Sequence, residues 1–284
     1  MKYLIQSIII IFLLLIFKLI GLKYSRIIAG YILRVLGPIF RSKKIAIQNL
    51  SKAYPKLSLI EKKTIIKNMW FNYGLILAEY VFIKNFRLSE KFYKNIIIEN
   101  QNELNEIKNN SKPVIFVSGH FNNFELMAMH IEKSGIDLAA IYRPLNNIFL
   151  NPIMEFIRKK YICKKQIKKG SPGTKEILKN FKRGTSIALM IDQRVSQGIA
   201  SEFFNEKAST TTLPAQFVKK FGAKIIPIYI ERIGLDKFKL RIFKSLKFSE
   251  NESVENITLS LNKVLEEMIK KNPEQWIWTH SRWK

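Results

Sequence analysis

Residues 114–125, VIFVSGHFNNFE, bring a histidine, His120, to a turn and place a carboxylate, Glu125, five residues later. A carboxylate hydrogen-bonded to one imidazole nitrogen fixes the tautomer and stabilises the imidazolium, so the other nitrogen can take a proton from a hydroxyl. The pair is therefore expected to be a base for acyl transfer, with Glu125 on the His120 ring. Residues five apart on one continuous helix stand about 140° apart around the axis and could not share a proton. The expectation thus needs His120 on a turn and Glu125 in the first turn of a helix. The plainer reading is a histidine near a helix start and a glutamate that favours the helix dipole. Of the three histidines, only His120 stands at the carboxyl end of an apolar strand, where α/β proteins build their sites; His130 and His280 do not.

The elements that must position this pair follow from patterning. Val114 to Val117 is β-branched and aromatic and reads as a buried strand ended by Ser118-Gly119, with Asn122 or Asn123 capping the next helix. A helical region from Glu61 to about Phe86 precedes it, with Glu79 read as a carboxylate on the helix surface rather than a buried partner for a base. After it, strands are expected at 138–142, 186–191 and 224–230, and helices at 148–161, 174–181 and 214–221. A strand at 238–243 and a helix at 254–271 complete the domain. This alternation predicts an α/β fold, a mainly parallel sheet flanked by helices. Three strand ends release polar residues toward one edge: His120; then Arg143 with Asn146 and Asn147; then Asp192, Gln193 and Arg194. Residues 195–212 read as a loop long enough to be a mobile substrate loop. The terminal segment 273–283, with three of the four tryptophans, reads as an aromatic strand closing the core.

The chain of 284 residues carries 48 Lys or Arg against 22 Asp or Glu, a net charge of +26. Such a balance calls for an anionic partner: nucleic acid, acidic lipid or an acidic carrier protein. No nucleic-acid-binding module is recognisable. The single cysteine, Cys163, excludes an intrachain disulfide, and with no turn or histidine nearby it is not expected to be a nucleophile. No CxxC or HExxH spacing occurs, so no metal is expected.

Charge distribution chooses among the anions. Residues 1–60 hold ten Lys or Arg and no acid, and they are also the most apolar part of the chain. Tyr3 to Leu22 would cover about 30 Å as a helix, the thickness of a bilayer core. No small-x-small cleavage site follows, which favours a membrane anchor (1–22) over a cleaved signal. Lys23, Arg26, Arg34, Arg41, Lys43 and Lys44 lie beyond it, so a single pass with the rest of the chain on the cytoplasmic side is expected. Residues 23–60 form a basic, apolar, membrane-proximal segment in which 27–40 suits either the membrane surface or a core helix. Residues 61–284 form the main domain.

The ordered set HFNNFE, IYRPLNN, IDQR and PEQWIWTHSRW resembles the lauroyl and myristoyl acyltransferases of lipid A biosynthesis over essentially the whole chain. These belong to the lysophospholipid-acyltransferase-like enzymes, which use an H-x4-D/E pair on an α/β domain. The resemblance implies an inner-membrane enzyme that moves a fatty acyl chain from acyl carrier protein, or coenzyme A, to a hydroxyl of a lipid A precursor. It implies no cofactor beyond that acyl thioester, and as partners the carrier protein, an anionic glycolipid and the membrane, with no nucleic acid. By position, His120 matches the general base, Glu125 its orienting carboxylate and Arg158 a further catalytic arginine. Arg143 matches the YRP element and Asp192 an acidic position after the third strand; with Asn147 and Arg194 from the same strand ends, they are expected to bind substrate. IDQR departs from the more aspartate-rich turn expected, and the segment 197–208 matches poorly. Two other readings remain: an acyltransferase with a different glycolipid or lysophospholipid acceptor, although no FPEGT-like phosphate-binding sequence is present, and a basic membrane-associated binding protein without catalysis.

Overall fold

A computed structural model describes residues 1–40 and 43–284. Arg41, one of the cations counted toward the orientation of the anchor, lies outside the described residues. Helices α1 (Lys2–Phe40), α2 (Lys43–Ala53), α3 (Leu59–Val81), α4 (Ile83–Leu88) and α5 (Glu90–Tyr93) precede strand β1 (Ile96–Glu99) and α6 (Gln101–Asn110). Then follow β2 (Ile115–Ser118), α7 (Glu125–Lys133), β3 (Leu138–Tyr142), α8 (Asn151–Ile157), a π-helical turn at Arg158–Ile162 and β4 (Lys165–Lys168). The chain continues through α9 (Ser171–Lys182), β5 (Ser186–Met190), β6 (Ile199–Phe203), β7 (Glu206–Thr210), α10 (Leu213–Phe221), β8 (Ile225–Ile233), β9 (Lys237–Ile242) and α11 (Val254–Lys271).

Seven strands form one sheet in the order β1-β9-β8-β2-β5-β3-β4, parallel except for the β8–β9 pair. The α/β reading therefore holds. All four residues of β2 are buried, because helices cover both faces of a parallel sheet, and this is why its sequence is an unbroken apolar run. In the register of β2 with β5, Ser118 faces Met190. The chain two residues beyond each strand end therefore emerges side by side, which places His120 next to Asp192.

Two of the expected segments differ. Residues 195–212 are not an open loop: β6 and β7 form an antiparallel hairpin turned by Phe204 and Asn205, both at positive φ, as a tight two-residue hairpin requires. Phe203, Phe204 and Ala208 bury the hairpin against α11, and Arg282 clamps it through the Ser209 carbonyl and the Thr210 hydroxyl, both at 2.8 Å. The terminal segment is a short 3-10 turn at Pro273–Gln275 followed by turns rather than a strand, although Trp276 and Trp278 are buried as a core role demands. Strands β1 and β4 are additional elements.

The second half of α1 and helix α2 pack onto the domain. Ala46, Asn49 and Leu50 of α2 are buried, and the second half of α1 runs along α3. The two helices approach so closely at Gly74 that a Cβ there would lie 2.1 Å from the Ala29 carbonyl oxygen, so only glycine fits. Gly21 breaks α1 with φ 81° and ψ 163°, a conformation glycine adopts without the steric cost a side chain would add. The Ser25 hydroxyl then donates to the Phe17 carbonyl at 2.7 Å, and Phe17 packs with Ala29 and Ala78. Contacts of this kind between residues 8 and 12 apart require a sharp change of direction.

Glu79 is wholly buried, contrary to the surface role expected from the sequence. Its carboxylate pairs with Arg26 of α1 at 2.7 Å and Arg232 of β8 at 2.7 Å, and accepts from Asn123 Nδ2 at 2.8 Å. Burial raises the pKa of such a carboxyl, but the two guanidinium groups and the Asn123 amide hold it below its usual range. Removing one member of a buried ion cluster leaves uncompensated charge in a low dielectric. Glu79→Ala should therefore cost about 3–5 kcal/mol of unfolding free energy, measured by denaturant titration in detergent; a change below about 0.5 kcal/mol would be the size of an ordinary surface substitution and would contradict this role.

Candidate active site

His120 leaves β2 on the turn the sequence predicts, and Glu125 opens α7. The carboxylate on the imidazole, however, is Asp192 and not Glu125. His120 Nδ1 lies 2.8 Å from Asp192 Oδ1, and the His120 backbone N–H donates to Asp192 Oδ2, also at 2.8 Å. A carboxylate only accepts, so Nδ1 carries the proton of the neutral ring and Nε2 is the basic nitrogen. Trp276 Nε1 donates to Asp192 Oδ2 at 2.8 Å, so the buried carboxylate accepts three bonds. Burial favours the neutral acid, yet the His120 charge and the bonds from His120 and Trp276 lower the Asp192 pKa to about 2. The His120 side chain is 22% exposed, enough for a substrate to reach it, and its ring meets Phe124 edge-on at 5.0 Å. The Gln193 side-chain amide lies 3.5 Å from each ring nitrogen.

Glu125 serves the neighbouring arginine. Arg158 Nε donates to Glu125 Oε1 at 2.8 Å and Nη2 to the same oxygen at 2.5 Å, while the Tyr80 hydroxyl lies 3.4 Å from it. Burial works against the Arg158 charge, but Glu125 and Tyr80 hold its pKa above the ordinary value. Arg158 begins the π-helical turn after α8, a local widening of the helix that is frequent at functional sites. The turn re-aims the chain where the sequence reading continued a regular helix to residue 161. Arg158 and Glu125 thus form an ion pair, and His120 and Asp192 a separate hydrogen-bonded pair.

The loop between them is held from behind. Asn122 is at φ 41°; its backbone N–H donates to the Gln275 carbonyl at 2.9 Å, and its side-chain oxygen accepts from Arg232 at 3.0 Å. Neither asparagine caps α7, whose N-terminus has no side-chain cap. Asn122 and Asn123 instead fix the His120 loop onto Arg232 and Glu79.

The remaining expected residues divide. Arg143 is exposed at the end of β3, near Lys169, whose pKa is lowered by burial and by Arg143 and raised by Asp192; both cations therefore stand by the same edge. The Arg194 side chain is exposed, and its backbone N–H donates to His280 Nε2 at 3.1 Å. Asn147 is engaged structurally: its side-chain oxygen accepts from the Phe149 and Leu150 amides, and its side chain also bonds α1. Its hydrogen bonds go to α1 and to the turn before α8. His130 is buried against Tyr93 and Gln101, and burial lowers its pKa to about 4, consistent with packing. Trp276 and Tyr80 are the participants that patterning missed. The β2–β5 register was the available signal for Asp192.

The Asp192 carboxyl sits near 2 in the folded protein and about 3.9 when unfolded. A depressed folded pKa stabilises above the unfolded value and loses that contribution as pH falls through the folded one. The melting temperature should therefore fall between about pH 4 and pH 2 more steeply in the parent than in Asp192→Asn, measured by pH-dependent thermal unfolding; parallel curves would contradict the assignment.

A model of the bacterial lipid A biosynthesis acyltransferase family matches residues 1–284. Lipid A biosynthesis acyltransferase 2 of Shigella flexneri is 23% identical over 247 residues, covering 84% of this chain and 76% of that protein. The lipid A biosynthesis palmitoleoyltransferase of Escherichia coli K12 is 24% identical over 249 residues, covering 86% and 79%. The E. coli K12 lipid A biosynthesis lauroyltransferase is 23% identical over 254 residues, again covering 86% and 79%.

Proposed function

This chain belongs to the bacterial lipid A biosynthesis acyltransferase family, and on that premise we propose that it moves a fatty acyl chain from an acyl thioester to a hydroxyl of a lipid A precursor at the cytoplasmic face of the inner membrane. Membership of an enzyme family excludes the reading as a binding protein without catalysis. The observation that carries the mechanism is the 2.8 Å contact of His120 Nδ1 with a wholly buried Asp192.

In this mechanism His120 Nε2 takes the proton of the acceptor hydroxyl as its oxygen attacks the thioester carbonyl carbon. Asp192 holds the ring in the correct tautomer and stabilises the imidazolium. The tetrahedral oxyanion is stabilised by a hydrogen-bond donor fixed before the reaction, and Arg158, oriented by Glu125, is placed in that role. Collapse breaks the carbon–sulfur bond, and the imidazolium returns its proton to the departing thiolate. No covalent acyl-enzyme is required. Arg143, Lys169 and Arg194 supply positive charge for an anionic glycolipid or for acyl carrier protein as the thioester carrier.

The two carboxylates have separable roles and therefore separable phenotypes. His120→Ala and Asp192→Asn should each lower kcat/KM by at least about a hundredfold, the usual contribution of a positioned general base. Asp192→Asn should also move the acidic limb of the pH–rate profile, whereas Glu125→Gln should lower the rate without moving it. Near-parent turnover in His120→Ala, or a shifted limb in Glu125→Gln alone, would overturn these roles. Mass spectrometry of lipid A from cells with and without the protein tests the reaction itself. The expected result is loss of one secondary acyl chain, and an unchanged lipid A would point to another acceptor.

A further inference from the structure

Asn147 ties the far end of α1 to the domain that carries the site. The Ser7 hydroxyl donates to Asn147 Oδ1 at 3.0 Å, and Asn147 Nδ2 donates to the Tyr3 carbonyl at 3.0 Å. Ser7 is 3% exposed, Phe17 is wholly buried and Leu14 packs beside it, so one stripe of the helix faces the domain along its length. The opposite face is bare hydrocarbon: Ile8 is 60% exposed, Phe12 64% and Leu19 86%.

These contacts are incompatible with a helix that crosses a bilayer beside a domain left in water. At about 1.5 Å per residue, Ser7 lies about 21 Å along the axis from the break at Gly21. The hydrocarbon core is about 30 Å thick. A crossing helix with Gly21 at one interface would carry Asn147 roughly two thirds of the way across. Arg143, Lys159 and Lys160, exposed along the same stretch of chain, would follow it toward the apolar interior. A cation near the bilayer centre is strongly disfavoured even on the mildest scale.

The chain beside Asn147 is itself apolar and bare. Ile148, Phe149, Ile153 and Phe156 all project into open space from α8 and the turn before it. The other side of α8 faces the site, where Met154 Sδ lies 2.7 Å from the Tyr80 hydroxyl and Arg158 follows. We infer that the first half of α1 lies along a single leaflet, and that Ile148, Phe149, Ile153 and Phe156 insert into that same leaflet beside it. The helix and this ridge then form one continuous hydrocarbon-facing surface, with the exposed cations at headgroup level. Helix α8 becomes the wall between lipid and catalytic pair, so a lipid acceptor enters sideways from the leaflet. The inference rests on the proposed function only in requiring that the protein binds a membrane.

Depth measurements on the full-length protein in vesicles of phosphatidylethanolamine and phosphatidylglycerol test it. Single cysteines (Leu4→Cys, Phe12→Cys, Leu19→Cys, Phe149→Cys and Phe156→Cys) are labelled with an environment-sensitive fluorophore and quenched by lipids carrying a nitroxide at a shallow or a deep acyl position. The native Cys163 is buried, and labelled parent protein serves as the blank. A far-UV circular dichroism spectrum and melting temperature matching the parent certify each variant as folded. Similar, shallow depths at positions 4, 12 and 19, with quenching at 149 and 156, are the expected result. Greatest depth at position 12, with 4 and 19 near opposite interfaces, would overturn the inference. So would unquenched probes at 149 and 156. Absence of quenching at every position would defeat membrane binding itself, a failure distinct from the other two.

Discussion

The structure depends on one buried carboxylate. Glu79 sits without solvent between Arg26 and Arg232 and accepts from Asn123, so a single side chain joins the amino-terminal helix, an antiparallel strand and the loop that carries His120. A buried charge of this kind is tolerated only when it is paired, and loss of one partner leaves uncompensated charge among the rest. Gly74 reinforces it by letting α1 and α3 approach to backbone contact, as the Arg26–Glu79 pair requires. The consequence is that the loop carrying His120 is held from behind by the apolar amino-terminal helix.

On that platform the site consists of two side-chain pairs, only one of them a permanent ion pair. Asp192 grips His120 at both its backbone and its ring, and Trp276 from the chain end completes the carboxylate's bonds. Glu125, Arg158 and Tyr80 form the other group, placed by the start of α7 and the π-helical turn after α8. Both pairs stand at the carboxyl edge of a parallel sheet, where strand ends bring distant parts of the chain together. A base and an oxyanion donor are what transfer from a thioester to a hydroxyl requires.

Much of the scaffold was legible because its signals are local. The apolar run of β2, the strand at 138–142 and the long amphipathic α11 each carry their own pattern, and the alternation implied a parallel sheet. His120 was legible for the same reason: it ends a buried strand. Its partner was not, because nearness along the chain pointed to Glu125 while the β2–β5 pairing, a non-local fact, selects Asp192. Glu79 read as a surface carboxylate because its two arginines lie 53 and 153 residues away in sequence. The hairpin at 199–210 was hidden by a polar composition that reads as a loop until α11 and Arg282 supply its other side.

The central claim is that Asp192, and not Glu125, sets the His120 tautomer. Nitrogen-15 NMR of the histidine rings, with His120 assigned by substitution, reads that tautomer directly. A neutral His120 protonated at Nδ1 is expected, unchanged in Glu125→Gln and lost in Asp192→Asn. A ring protonated at Nε2, or one that responds to Glu125→Gln and ignores Asp192→Asn, would contradict it.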